Sequence, residues 1–179
     1  ELTNLELGYK GTLADGKVDL TAAIYQQEID DVAIHVSDYA LDTICGVYIA
    51  NAGDASSDGY ELSFSYNITD NVSVSAFATD TDATLDSGFK GFGGGTLVAA
   101  GNKMANAPEE TFGFSIDASH ELGNGMSGRF FANYSTVGDR FGDSANEYAL
   151  EEYSVANLRY TLNSNNGWRA ALYVNNATD

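Results

Sequence analysis

The chain has 179 residues, 26 acidic against 8 basic, for a formal net charge of −18. So few cations exclude a nucleic-acid partner, whose phosphates nothing here would neutralise, and an anionic membrane surface as partner for the polar parts. A lone cysteine, Cys45, excludes an internal disulfide, and no window approaches the roughly 20 apolar residues of a transmembrane helix.

Leu5, Leu7 and Tyr9 alternate with Glu6, Gly8 and Lys10, and Ala14-Asp15-Gly16 then supplies hairpin chemistry between two alternating runs. Val18, Leu20, Ala22 and Ile24 oppose Asp19, Thr21, Ala23 and Tyr25. A polar, irregular connection follows from about Asp30 to Gly46, holding His35, Asp38, Tyr39, Asp42 and Cys45. Val47–Ile68 reads as one long strand, with Gly53 and Gly59 marking a bulge or a change of direction. Its second half alternates strictly: Tyr60, Leu62, Phe64, Tyr66 and Ile68 on one face, Glu61, Ser63, Ser65 and Asn67 on the other.

Thr69-Asp70-Asn71 is a tight turn into Val72, Val74, Ala76 and Ala78, which alternate with Ser73, Ser75, Phe77 and Thr79. From Asp80 to Asn106 the composition reads as loop, with Asp80, Asp82, Asp86 and the Gly91–Gly95 cluster; Pro108, the only proline, suits the start of a strand. Phe112, Phe114, Ile116 and Ala118 form the next apolar set, followed by a Gly123-Asn124-Gly125 turn and by Phe130, Ala132 and Tyr134. A third polar loop spans about Gly138 to Glu152. Ala156, Leu158, Tyr160 and Leu162, a turn over Asn163–Gly167, and Trp168, Ala170, Leu172 and Val174 complete the pattern.

About eight antiparallel strands result, and their connections alternate short and long, placing tight turns at one end of the sheet and long loops at the other. By parity Glu6, Lys10, Asp19, Glu61, Asp117, Arg129, Arg159 and Arg169 all fall on the polar face, while the apolar face carries Tyr9, Tyr60, Phe112, Tyr134 and Trp168 near strand ends. Two all-β architectures satisfy this pattern. One is an up-and-down transmembrane barrel with the apolar face in lipid and aromatic girdles at the interfaces. The other is a soluble barrel or sandwich with the apolar face inward. The long acidic loops weigh against the second, since connections in compact domains are usually about 4 to 6 residues.

The ordered set of landmarks resembles the C-terminal part of the β-barrel of a TonB-dependent outer-membrane receptor. They are Glu6-Leu7-Gly8-Tyr9-Lys10-Gly11 and Leu20–Tyr25, then Asn51-Ala52-Gly53-Asp54-Ala55 with Gly59 and Glu61, then Asn106-Ala107-Pro108-Glu109. Tyr134-Ser135, Val137–Arg140, Asn157-Leu158-Arg159 and Val174–Asp179 follow in the same order. The resemblance implies a barrel of about 22 strands around a plug. It further implies a Gram-negative outer-membrane location, lipid contact, and uptake of a metal-siderophore complex, cobalamin or carbohydrate. The inner-membrane TonB complex would be reached only through the plug. On this reading residues 1–179 are the last third of the barrel, with neither plug nor closing strand. A small stand-alone barrel, soluble and ligand-binding or structural in the outer membrane, is the alternative.

No catalytic or metal site is expected, and no cofactor. Asp80, Asp82 and Asp86 alternate like calcium ligands, but Leu85 and Gly91 stand where such a loop needs Gly and Glu. Gly91–Gly95 lacks the Gly-Lys-Ser/Thr of a phosphate cradle, and His35 and His120 fall at opposite ends of the sheet. Asp30-Asp31, Glu109-Glu110 and Glu151-Glu152 are sequence neighbours, which face opposite sides of a strand. The expected functional surface is therefore a lumen lined by Glu6, Lys10, Asp19, Glu61, Asp117, Arg129, Arg159 and Arg169. Ligand contacts from the long loops are expected at His35, Tyr39, Phe89, Phe92, Phe141 and Tyr148.

Overall fold

A computed structural model of the protein describes residues 1–38, 46–51, 53–90 and 97–178. β1 (Leu2–Leu13) and β2 (Val18–Ile29) form the first hairpin, closed by Ala14, Asp15 and Gly16 at φ of 52°, 55° and 86°. Successive left-handed residues match the right-handed twist of the flanking strands, which is why Asp-Gly works there. β3 (Ala33–Asp38) and β4 (Gly46–Asn51) make a separate hairpin beyond the sheet, and the chain returns in β5 (Ala55–Thr69) and β6 (Val72–Leu85). β7 (Phe89–Lys90) and β8 (Leu97–Val98) form a second excursion before β9 (Glu110–Gly123) and β10 (Met126–Val137). β11 (Arg140–Phe141) and β12 (Ala149–Leu150) form a third, and β13 (Tyr153–Ser164) and β14 (Arg169–Val174) end the series.

The long strands make one eight-stranded sheet, β1-β2-β5-β6-β9-β10-β13-β14, antiparallel at every step. Tight turns lie at one end and the three excursions at the other, as the alternation of connection lengths implies. Among the described residues the sheet is open, with β1 and β14 as its edges, as a part of a larger barrel requires and unlike the alternative of a small closed barrel.

Val47–Ile68 is not one strand. Residues 46–51 pair with β3, and Gly53, at φ 85°, turns the chain back toward β5, its carbonyl accepting the Val32 N–H at 2.7 Å. The expected loop from Asp80 also begins late: β6 continues to Leu85, with Asp82 opposite Asp58. Tyr60 therefore lies well inside β5 rather than at its end.

The apolar face of the sheet is not covered by protein. Leu7 is 72% exposed, Leu172 76% and Phe114 48%, and the buried hydrophobic cluster sits instead at the loop end. There Val32, Ala55, Leu85 and Val98 pack together, with Ile29, Met104 and Ala145 against them. A protein that spends its apolar residues on an uncovered sheet face needs an apolar medium to stabilise it, at roughly 25 cal/mol per Å² removed from water.

Candidate functional site

The register places all eight lumen candidates on one face. Glu6 stands opposite Tyr25, Lys10 opposite Thr21, Asp19 opposite Thr12 and Ser65, and Glu61 opposite Ala23 and Thr79. Asp117 stands between Ser73 and Phe131, Arg129 between Ser119 and Thr161, Arg159 between Phe131 and Tyr173, and Arg169 opposite Asn163. A single cavity of about 600 Å³ touches five neighbouring strands, β2, β5, β6, β9 and β10, so the sheet curls around it. Most of its lining, including Asp19, Thr21, Ser63, Ser75, Ser115 and Asn133, belongs to the polar face. The polar face is thus the concave one. A soluble barrel with its apolar face inward requires the opposite curl.

Hydroxyls and amides pair across this concave face. Ser75 and Ser115 hydroxyls meet at 2.8 Å, Thr79 and Thr111 at 2.6 Å, Tyr25 and Thr81 at 2.8 Å, and the Thr12 hydroxyl donates to Asp19 at 2.7 Å. Cross-strand pairing of this kind satisfies each group without a protein core around it. Of the eight charged candidates, only Asp117 and Arg129 are brought together. Arg129 Nε donates to both Asp117 oxygens at 2.9 Å, and its Nη2 also contacts Oδ2. The others are spread over the face.

Reasoning from charge alone passes over the aromatics on the same face: Tyr25, Phe77, Phe131, Tyr153 and Tyr173. Each sits at a polar-parity strand position, and that parity is the signal that finds them. Phe77 covers Gly113 directly, since a Cβ added there would lie 2.5 Å from its ring.

At the loop end, His35 lies on β3 opposite Ile49 and Phe89 on β7 opposite Val98, while Tyr39, Phe92, Cys45 and Gly91–Gly95 lie outside the described residues. Tyr148 is 68% exposed. Phe141 lines a cavity of about 300 Å³ together with Lys103, Glu109, Asp139, Arg140 and Glu151. Two loops brace each other beside it: Asn146 Oδ1 accepts the Lys103 N–H at 2.8 Å, and Asn146 Nδ2 donates to the Lys103 carbonyl at 2.9 Å. Asp143 caps the following turn through the Ala145, Glu147 and Tyr148 N–H groups. Lys103 Nζ bridges Glu109 at 2.7 Å and Asp82 at 3.0 Å. The Glu109 hydrogen bond, against an opposing desolvation and with Asp82 adding to it, holds the Lys103 ammonium above its ordinary range. Asp82 is thereby committed to an ion pair, Asp86 accepts the Ser56 hydroxyl, and among the described residues no group of three metal-ligating side chains converges.

Residues 1–177 match the family described as TonB dependent receptor-like, beta-barrel. The chain belongs to this family. It is 27% identical over 186 residues to a probable TonB-dependent siderophore receptor, PiuA, of Acinetobacter baumannii, covering 100% of this chain and 23% of that protein. It is 28% identical over 167 residues to the metal-pseudopaline receptor CntO of Pseudomonas aeruginosa, covering 89% of the chain and 21% of the relative. The crystal structure of the siderophore receptor PiuA from Acinetobacter baumannii superposes with a TM-score of 0.77 at 24% identity, covering 99% of this chain and 24% of that one. The ferric yersiniabactin uptake receptor FyuA from Yersinia pestis gives 0.77 at 18%, covering 99% and 25%. The chain therefore spans about a quarter of the length of these receptors. The family is one of outer-membrane receptors and transporters of Gram-negative bacteria, not of enzymes, and this chain is a β-barrel segment of that membrane.

Proposed function

We propose that this chain is the C-terminal portion of the barrel wall of a receptor that takes up a metal-siderophore complex through the outer membrane, driven by TonB. The observation that supports it is the family match over residues 1–177 on a sheet whose polar face is concave and whose apolar face is uncovered. The relatives described above are receptors for siderophores or metal chelates, which favours that cargo over cobalamin or carbohydrate. On this reading the apolar face meets lipid, and the edges β1 and β14 pair with further strands of the parent chain. The concave face lines the lumen beside the plug, and TonB is engaged through the plug. Glu6, Lys10, Asp19, Glu61, Asp117, Arg129, Arg159 and Arg169 line the solute path. His35, Tyr39, Phe89, Phe92, Phe141 and Tyr148 are the loop positions offered to ligand.

The test is uptake of radioactive iron, presented on a panel of siderophores, by cells carrying the full receptor gene as their sole such receptor, with and without TonB. TonB-dependent accumulation from at least one siderophore is expected. A receptor that reaches the outer membrane folded yet accumulates iron from none of them, or does so without TonB, refutes the proposal.

A further inference from the structure

Arg159 differs from Arg129 on the same face. In this chain 26 carboxylates face 8 cations, so an arginine on the sheet has many partners to choose from. Arg129 takes Asp117 through a fork of hydrogen bonds, and Arg140 lies 5.3 Å over the Tyr153 ring. Neither Arg159 nor Arg169 has a hydrogen bond or ion pair to any described residue, but only Arg159 stands in the same cross-strand row as Asp117, two strands away, with Phe131 between them. It opens into a trough of about 580 Å³ whose other lining residues are Phe131, Asn133, Asn157, Leu158, Tyr173 and Asn175.

One of the amides there, Asn133, is left able to donate. Asn157 is committed at both ends, its Nδ2 donating to Asn133 Oδ1 at 3.3 Å and its Oδ1 accepting the Asn176 N–H at 3.1 Å. Asn133 spends its oxygen on that bond, which leaves its two N–H groups for another acceptor. Asn133 and Arg159 are diagonal neighbours across β10 and β13, a separation of about 7 to 8 Å that one small acceptor group bridges. The trough thus offers one planar cation, one neutral amide donor and two aromatic walls, with no acid in its lining. A guanidinium fork of this kind matches a carboxylate in two parallel hydrogen bonds, and a single positive charge balances a single carboxylate.

We propose that Arg159, with Asn133, is a carboxylate-receiving site on the lumenal face, filled by a carboxylate of a passing solute or by an Asp or Glu of the receptor outside these residues. The proposal rests on the reading of this face as the lumen. Both sources share one chemistry, and one experiment separates them. The full receptor carrying Arg159→Lys is treated in detergent micelles with a water-soluble carbodiimide, which condenses a touching amine and carboxylate into an amide while the carbodiimide takes up the water. Products are read by mass spectrometry, against Arg169→Lys as the reference on the same face at the tight-turn end.

Coupling at position 159 at least about tenfold above position 169, the ratio expected for one charge-assisted hydrogen bond, supports the proposal. A cross-link to an Asp or Glu side chain assigns the site to the receptor itself. An adduct formed only with added tricarballylate assigns it to a solute. Equal coupling at the two positions, with and without tricarballylate, overturns it. Unmodified receptor gives a second reading if the variant does not fold: phenylglyoxal modification of Arg159 that is neither slower than that of Arg169 nor slowed by tricarballylate also overturns it. Folding in plain buffer, without micelles, would remove the lumen and the proposal together. Micelle-dependent folding with equal coupling removes the proposal alone.

Discussion

Ile116→Arg tests which face meets lipid. The register sets Ile116 between Val74 and Ala132, in a row that continues through Tyr66, Val18 and Leu13 on one side and Leu158 and Val174 on the other. On β9 the same face runs from Phe112 to His120, about eight residue steps; at about 3.4 Å per residue and a tilt near 40°, these ends lie roughly 20 Å apart along the membrane normal. Ile116 is midway, near the bilayer centre, where an arginine on the lipid face costs about 2 to 4 kcal/mol. Ser115→Arg places the same charge one residue away on the concave face. Its expected loss is the 2.8 Å hydrogen bond to Ser75, about 0.5 to 1.5 kcal/mol. The gap of about 2 kcal/mol is roughly 30-fold in the folding equilibrium. It is measured by urea unfolding of the full receptor in lipid vesicles, followed by heat-modified gel migration. If Ser115→Arg proved as costly as Ile116→Arg, or costlier, the assignment of faces would be wrong.

Gly59→Ala should loosen the β5–β6 pairing, because the added Cβ overlaps the Asp80 carbonyl oxygen and lies 2.8 Å from the Tyr25 hydroxyl. A loss of about 1 to 3 kcal/mol is expected in thermal melting, whereas Gly8→Ala, whose Cβ meets nothing nearer than 3.6 Å, should leave melting unchanged. Asn146→Ala removes both of its bonds to the Lys103 backbone at a residue whose φ is 58°; amide exchange should accelerate around 102–107 and 143–148 with no change in global melting. Lys103 has its pKa raised in the fold, so its contribution is complete below 10.5 and declines as pH rises through the raised value. With both partners more than half exposed the effect is under about 1 kcal/mol, and it is read as proteolysis of this loop that increases above pH 10.5 in the wild type but not in Lys103→Ala.

Tyr60–Ile68 is legible in the sequence because its two faces meet different media, which forces a period of two on the composition. The chain outside the apolar band carries no such imprint. Asp80 and Asp82 read as loop, yet their backbones pair with Tyr60 and Asp58, because a strand wet on both faces selects for neither alternation nor apolar residues. The converse error occurs at Val47–Asn51, whose strand-like composition joins it by eye to β5. Gly53 at positive φ is the one local sign of the break, and a glycine alone does not distinguish a corner from a bulge. The candidate ligand positions are the least legible, since no face-wise rule orders residues beyond the sheet.

Parity also dictates two irregularities that look accidental. In the β9–β10 hairpin Met126 pairs with Gly123, but Ser127 pairs with Glu121, a shift of one residue. Without the shift Arg129 would stand opposite His120, and the odd-numbered polar positions of β9 would meet the even-numbered apolar positions of β10. One residue of slip exchanges the faces of a whole strand. With it, Ser115 meets Asn133, Asp117 meets Phe131 and lies diagonal to Arg129, and the ion pair forms. The β5–β6 hairpin does the same: Thr69 pairs with Val72 but Asn67 with Ser73, which sets Ser65 against Ser75 and Tyr66 against Val74. Each bulge sits beside its tight turn, where the register of the whole pair is decided. The sheet keeps one wet and one apolar face across β5, β6, β9 and β10 because these two turns each carry a residue more than a regular ladder allows.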